Sequence, residues 1–259
     1  VTEVKTARAA STDEVLAVTA ARDLADKHVV FAGIGLPTLA VALAQETGAP
    51  HLEVIYESGV CGAHPAELPA TIADSVLITD SEAVLTLPAL FGYVLQGGRI
   101  DVGFLGAAQI DAFGNLNSSV IGDWHTPAKR LPGSGGAHEV LANARETFVI
   151  MRRHSPRSFV SELDFCTSAG PDRAKAAGGS PRTLGVTRVY TELGVLARSG
   201  PGEELSLAAL HTGVRVDDVI RATGWDLTVS DDVHEIAPPT PSELRLLREQ
   251  IDPRGVYLR

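Results

Sequence analysis

A single carboxylate has the first claim on chemistry in this sequence: Glu57, in the run Val54-Ile55-Tyr56-Glu57-Ser58-Gly59-Val60-Cys61-Gly62. An apolar strand stops there at a glycine turn. In an open α/β sheet the carboxyl ends of the strands form the binding crevice, and Gly59 and Gly62 allow a substrate close to the backbone. The plain alternative is a solvated loop carboxylate, which is where most glutamates sit.

Other groups compete for a role. In Gly133-Ser134-Gly135-Gly136-Ala137, successive small residues expose backbone N–H groups able to cradle a phosphate or a developing oxyanion. Lys129 and Arg130 precede that loop and offer positive charge to an anionic ligand, or form a solvated basic turn. Gly106-Ala107-Ala108-Gln109-Ile110-Asp111 follows an apolar strand, where small side chains leave room for a ligand or permit close strand–helix packing. Gly33-Ile34-Gly35-Leu36-Pro37-Thr38 has the position of a dinucleotide fingerprint but lacks its third glycine, so a tight strand-to-helix turn is the better reading. His125, in Asp123-Trp124-His125, has no further ligands at metal-binding spacing. Ser58 lacks the preceding glycine of a nucleophile elbow, since Tyr56 stands there.

Composition narrows the classes. With 259 residues, 44% of them hydrophobic, the chain is long enough for a sizeable core. Its 22 Lys+Arg against 32 Asp+Glu give a formal charge of −10, which argues against a nucleic-acid or anionic-membrane partner. Cys61 and Cys166 form no disulfide framework or metal spacing, and no segment has the length of a membrane span. Residues 1–10 carry no apolar signal core, so a cytoplasmic protein without a resident metal is expected.

The elements that must position these groups follow an alternating pattern. Ser11-Thr12-Asp13-Glu14 is a capping box opening a helix to about residue 26, and strand 29–32 follows. Next come a helix over 37–47, strand 52–56, a strand at 76–78, a helix over 87–95 and strand 101–105. After a turn at 112–115, residues 117–121 are expected to return as a strand, Gly133 to Gly136 to open a short helix, and 147–151 to form a strand. Residues 157–209 read as more β-rich, with strands at 159–160, 186–190 and 205–207 around a Gly/Pro-rich loop over 169–181. Helices return at 216–222 and, behind Thr240-Pro241-Ser242-Glu243, to about residue 250. The expected architecture is α/β: an open, mostly parallel sheet covered by helices, in one domain over 1–259.

Five motifs occur in order: Gly33-Ile34-Gly35-Leu36-Pro37, Tyr56-Glu57-Ser58-Gly59, the run from Gln96-Gly97-Gly98-Arg99 to Gln109-Ile110-Asp111, Phe113-Gly114-Asn115-Leu116-Asn117, and Gly133-Ser134-Gly135-Gly136-Ala137. Together they resemble the β subunit of class I coenzyme A transferases across nearly the whole chain. The Glu-Ser-Gly form is similar to the glutaconate CoA-transferase branch, and the Gln96 run looks most like the 3-oxoadipate CoA-transferase β subunits of aromatic degradation. The resemblance implies that Glu57 attacks an acyl-CoA thioester to give a mixed anhydride, which CoA thiolate converts into a glutamyl-CoA thioester. Backbone donors at Gly135 and Gly136, with Gly106 and Ala107 nearby, would stabilise the oxyanions or contact CoA. Coenzyme A is then a substrate and covalent intermediate, and no permanently bound cofactor is expected. The resemblance further implies an α subunit in an αβ or α2β2 assembly, with succinyl-CoA as donor and 3-oxoadipate as acceptor. Lys129, Arg130 and Arg99 are the local candidates for the acceptor's far carboxylate, which needs a partner charge when buried. The alternatives are a glutaconate CoA-transferase and a hydrolase of a cyclic 3-oxoacyl-CoA; in the hydrolase the β subunit lacks the Glu-Ser-Gly glutamate.

Overall fold

In the computed structural model, which describes residues 8–65 and 67–258, the capping box at Ser11 closes. Ser11 Oγ accepts the Glu14 N–H at 3.3 Å and Glu14 Oε2 accepts the Ser11 N–H at 2.7 Å, starting α1 (Thr12–Arg22). Residues 1–7 of the N-terminal stretch lie outside the described residues. Strand β1 (Val29–Ala32) leads to α2 (Leu36–Glu46), which starts behind Gly35 at φ 103°, a left-handed conformation suited to glycine. There follow β2 (Glu53–Tyr56), β3 (Val60–Cys61), β4 (Ala83–Val84) and α3 (Leu87–Ala89), which continues as a π-helical turn, Leu90–Leu95. Strand β5 (Val102–Leu105) is followed by two small ribbons, β6 (Gln109–Ile110) with β7 (Leu116–Asn117) and β8 (Val120–Gly122) with β9 (Pro127–Arg130). Helix α4 (Ala137–Asn143) and β10 (Glu146–Ile150) complete the first half. The second half comprises α5 (Pro171–Ala176), β11 (Val186–Tyr190), β12 (Gly194–Ala197), β13 (Ser206–Leu210), α6 (Val216–Ala222), β14 (Val229–Glu235) and α7 (Pro241–Arg245) with a π-helical turn, Leu246–Ile251.

Ten strands form one sheet in the order β14-β13-β12-β11-β10-β5-β1-β2-β3-β4. Its central block, β11-β10-β5-β1-β2, is parallel, while β12 and β13 on one side and β3 and β4 on the other join antiparallel. Period-2 alternation sends Val30, Ala32, Val54 and Tyr56 to one face, under α1 and α2, in a cluster with Leu16, Leu39 and Leu43. Phe31 and Ile55 point to the other face and pack with Leu90, Leu95 and Val140. Burial on both faces explains why these strands read as unbroken apolar runs. The β-rich half has its own core around Val149, Val189, Leu196 and Leu207.

Three local expectations are corrected. Residues 76–78 belong to a 3-10 turn, Ser75–Leu77, started by Asp74, whose carboxylate accepts the Val76 N–H; the edge strand is β4 instead. Within the expected loop 169–181, Gly170-Pro171 starts α5, anchored where the Gly170 N–H donates to Asn115 Oδ1 at 2.8 Å. Phe159 makes only an isolated bridge, to Ile110, before the chain turns away. Both capping-box glutamates also tie the two ends of the chain together: Arg248 Nη2 bonds Glu14 Oε2 and Arg22 Nη2 bonds Glu243 Oε2, each at 2.8 Å. No helix among the described residues is long and apolar enough to cross a membrane.

Candidate active site

Glu57 directly follows β2, at the point where the parallel block gives way to the antiparallel edge. The turn closes by the Gly59 N–H donating to the Tyr56 carbonyl at 2.9 Å, with Gly59 at φ 97°. Only glycine fits there, because a Cβ would stand 2.1 Å from the Leu85 carbonyl oxygen, and Leu85 in turn donates to the Gly59 carbonyl at 2.8 Å. Beneath the turn Tyr56 is buried, which pushes its phenol up to about 12, so it remains a neutral anchor.

The glycine loop expected to carry backbone donors reaches this carboxylate. Gly136 N–H donates to Glu57 Oε1 at 2.9 Å, a charge-assisted bond across 79 residues of sequence. The loop bends through Gly133 at φ 98° and Gly135 at φ 46°, and Ser118 fastens it: its carbonyl accepts from Gly133 N–H, and its Oγ donates to the Gly133 carbonyl, both at 2.9 Å. Gly136 then leads into α4. A Cβ on Gly136 would stand 2.8 Å from Phe91 Cζ and 3.0 Å from Glu57 Oε1, so glycine here sets the distance between this carboxylate and the loop. Phe91 comes from the π-helical turn and packs edge-on against Phe31, with centroids 6.3 Å apart. Beside Glu57, Ser58 Oγ is buried with no hydrogen-bond partner among the described residues.

A cleft of about 810 Å³ opens along the carboxyl ends of the strands, bounded by the Gly33 and Gly35 turn, by Gly106 and Ala107 behind β5, and by Gly133 and Ser134. The structure therefore brings Glu57, Gly135 and Gly136 together and sets Gly106 and Ala107 on the adjoining cleft. The expected cations part company. Lys129 lines the cleft. Arg130 instead lies over the Trp124 ring, 4.3 Å from its centroid, and donates to the Trp124 carbonyl. Arg99 precedes β5, whereas Glu57 follows the parallel strand β2, so the two occupy opposite ends of the sheet. Besides Lys129, the cleft is lined by Arg152, Arg153 and Arg157, which follow β10 and which no sequence motif singles out.

The discarded groups have structural roles. Asp123 accepts the His125 and Thr126 N–H groups at 2.9 Å, so Asp-x-His makes the tip of the β8–β9 ribbon. Burial raises the thiols of Cys61 and Cys166, which keeps both protonated and poorly nucleophilic. Among the described residues no group of three or more His, Cys, Asp or Glu side chains is placed to hold a metal ion.

This geometry has counterparts among known proteins. The chain matches the family described as Coenzyme A transferase over residues 14–222. It is 44% identical over 242 residues to the 3-oxoadipate CoA-transferase B subunit of Pseudomonas knackmussii, covering 92% of each chain. It is 33% identical to the glutaconate CoA-transferase B subunit of Acidaminococcus fermentans, covering 95% of this chain and 94% of that one. The solved structure of the Acidaminococcus glutaconate coenzyme A-transferase superposes with a TM-score of 0.89 at 32% identity, over 96% of this chain and 98% of that one. The cholesterol ring-cleaving hydrolase IpdB subunit of Mycobacterium bovis is 32% identical over 75% of this chain and 84% of its own. An α/β sheet of this topology and matches along nearly the whole length lead to one conclusion: the chain belongs to the coenzyme A transferase family, as a β subunit related to those of glutaconate and 3-oxoadipate CoA-transferases.

Proposed function

We propose that this chain is the β half of a transferase that moves CoA from an acyl-CoA to a dicarboxylic acid, with Glu57 as the nucleophile. The observation that carries the reading is the bond from Gly136 N–H to Glu57 Oε1, which leaves Oε2 for attack. Oε2 adds to the thioester carbonyl, the C–S bond breaks, and CoA leaves as thiolate. The thiolate then adds to Glu57 Cδ, breaking the Cδ–Oε2 bond of the anhydride and releasing the first acid. During that step negative charge develops on Oε1, the atom already held by Gly136. A preorganised donor at such a position contributes about 2.7–4 kcal/mol. The acceptor carboxylate runs the two steps in reverse and regenerates Glu57.

An α subunit is the expected partner, supported by relatives that are themselves B subunits of larger enzymes. Within the dicarboxylates, the backbone match supports glutaconate and the sequence match supports 3-oxoadipate. Retention of a carboxylate nucleophile favours transfer over hydrolysis. The test uses the αβ complex. Glu57→Ala should abolish transfer without unfolding the chain, and Glu57→Asp, which retracts the carboxylate by on the order of 1 Å, should lose roughly a hundredfold in rate. Acyl-CoA without acceptor should leave a CoA adduct on this chain, seen by intact mass. Wild-type turnover by Glu57→Ala, or an adduct on the other subunit, would refute the assignment. Comparing kcat/KM for glutaconate, 3-oxoadipate and acetoacetate ranks the acceptors, and equal rates with acetoacetate would remove the dicarboxylate reading.

A further inference from the structure

Glu57 owes its position to the residue before it. Pairing of β2 with β1 ends at Tyr56, and the Tyr56 carbonyl accepts the Gly59 N–H that closes the turn, so a shift of Tyr56 carries Glu57 with it. Tyr56 is buried, yet it lines a cavity of about 270 Å³ walled by α2, by residues of the 63–68 stretch and by Gln250 and Ile251. That cavity shares no lining residue with the cleft at the strand ends. A side chain facing a void lacks packing on that side, so its place depends on the contacts that remain.

Those contacts lead to the segment 252–258, which winds around one carboxylate. Asp252 is buried and accepts three main-chain N–H groups, from Val256 at 2.6 Å on Oδ1 and from Tyr257 at 2.9 Å and Leu258 at 2.8 Å on Oδ2. These bonds turn the chain back, and Tyr257 packs against the core cluster that holds Tyr56, Leu36 and Leu39. The Tyr257 hydroxyl donates to the Pro69 carbonyl, and the Gly35 N–H and the Thr38 hydroxyl face its oxygen. Thr38 donates to the Gly33 carbonyl at 3.0 Å and also faces the Tyr56 phenol. One phenol oxygen thus stands where three segments meet: the Gly33–Gly35 turn, the start of α2, and the stretch between β3 and β4.

The segment's other link to that stretch is weaker. Arg254 pairs with Glu67 at 2.6 Å, but both side chains are 61% exposed, and such a solvated pair contributes little. Asp252 and Tyr257 are the groups that fix the segment.

We propose that Tyr257 is a positioning residue for Glu57: held by Asp252, its phenol clamps Gly35 and Thr38 against Pro69, and through Tyr56 it keeps the Glu57 carboxylate beside the Gly136 N–H. This deepens the reading of Glu57 as nucleophile and rests on it.

The test uses Tyr257→Phe in the αβ complex, which keeps the ring and removes the hydroxyl. A misplacement of about 1 Å costs about a hundredfold, so a shift of a few tenths of an ångström should lower kcat about fourfold. KM for acyl-CoA should stay near wild type, because the cleft is untouched. Asp252→Asn should lower kcat further, since its amide has a single acceptor oxygen and turns an NH₂ toward main-chain donors. Should that variant fail to fold, Tyr257→Phe decides alone. Arg254→Ala is the control and should keep wild-type kcat. An unchanged kcat in Tyr257→Phe, an effect confined to KM, or an equal fall in Arg254→Ala would overturn the proposal. Amide exchange of the Gly59 N–H depends on no chemical step and separates the two readings. Faster exchange in Tyr257→Phe supports the clamp even if Glu57→Ala turns over, and unchanged exchange refutes it even if the CoA adduct forms on Glu57.

Discussion

Gly136→Ala is a sharp test of how the site is set. Gly136 lies at φ −83°, so alanine meets no backbone penalty there, and the effect of the methyl is purely steric. Its Cβ would stand 2.8 Å from Phe91 Cζ and 3.0 Å from Glu57 Oε1, both well inside ordinary contact. Phe91 is backed by Phe31 and held in the π-helical turn, so the carboxylate is the group free to give way. Relief of about 0.5 Å there lengthens the 2.9 Å bond from Gly136 N–H past good hydrogen-bond range and shifts Oε2 with it. Losing one oxyanion donor costs about 100- to 1,000-fold in kcat, and a misplacement of about 1 Å costs about a hundredfold, so a loss of at least about 30-fold is expected. Stability should fall by only about 1–3 kcal/mol, the usual cost of overpacking. The assay is single-turnover formation and decay of the CoA adduct by the αβ complex, with urea unfolding alongside. Gly178→Ala, behind α5 and not on the cleft, is the control, since a Cβ there meets nothing within 4 Å but is strained at φ 88°. It should cost about 1–2 kcal/mol of stability and leave the adduct kinetics near wild type. Turnover of Gly136→Ala within threefold of wild type would refute the proposal that this glycine sets the working position of Glu57.

Other outcomes follow from single contacts. Gly59→Ala places a Cβ 2.1 Å from a main-chain oxygen at φ 97°, so it should destabilise the chain by more than about 3 kcal/mol in urea; a midpoint unchanged from wild type would contradict the rigidity of that turn. Burial pushes His154 from its ordinary 6.5 down to about 4, so the fold holds it neutral. Its contribution of about 3 kcal/mol is present above pH 6.5, is lost progressively as pH falls below that, and is gone below about pH 4. His154→Gln should flatten the urea midpoint between pH 7 and 5; a wild-type pH slope in that variant would show that another group titrates.

The sequence displays the setting of Glu57 more clearly than its surroundings. Glu57 is visible because an apolar run, an acid and a glycine turn are all local signals, and the donor loop is visible because its four small residues are consecutive. Their meeting across 79 residues is not, because it depends on α4 starting at the end of the sheet where β2 stops. Arg99 is misplaced for a related reason: a basic residue beside a strand gives no sign of which end of the sheet it will occupy, and here it enters β5 instead of leaving it. Arg153 and Arg157 leave β10 at the crevice end, but in sequence they are a charged turn like any other. Phe91 reads as one more apolar residue of a helix; the π-helical turn that aims it at Gly136 carries no distinctive residue signal.

Residue 57 contributes nothing to the sheet's hydrogen-bond ladder. Pairing with β1 ends at Tyr56, pairing with β3 runs through Ile55 and Cys61, and the side chain of Glu57 holds on, among the described residues, only through a main-chain N–H. Inheritance of the scaffold and inheritance of the chemistry are thereby separated. A lineage can replace the residue at this turn in one mutational step without loosening a strand. A glycine-lined crevice then remains for a different reaction to occupy. Divergence within such a family should accordingly be concentrated at the turn and along the cleft rim, while the parallel block drifts only among apolar residues of similar volume.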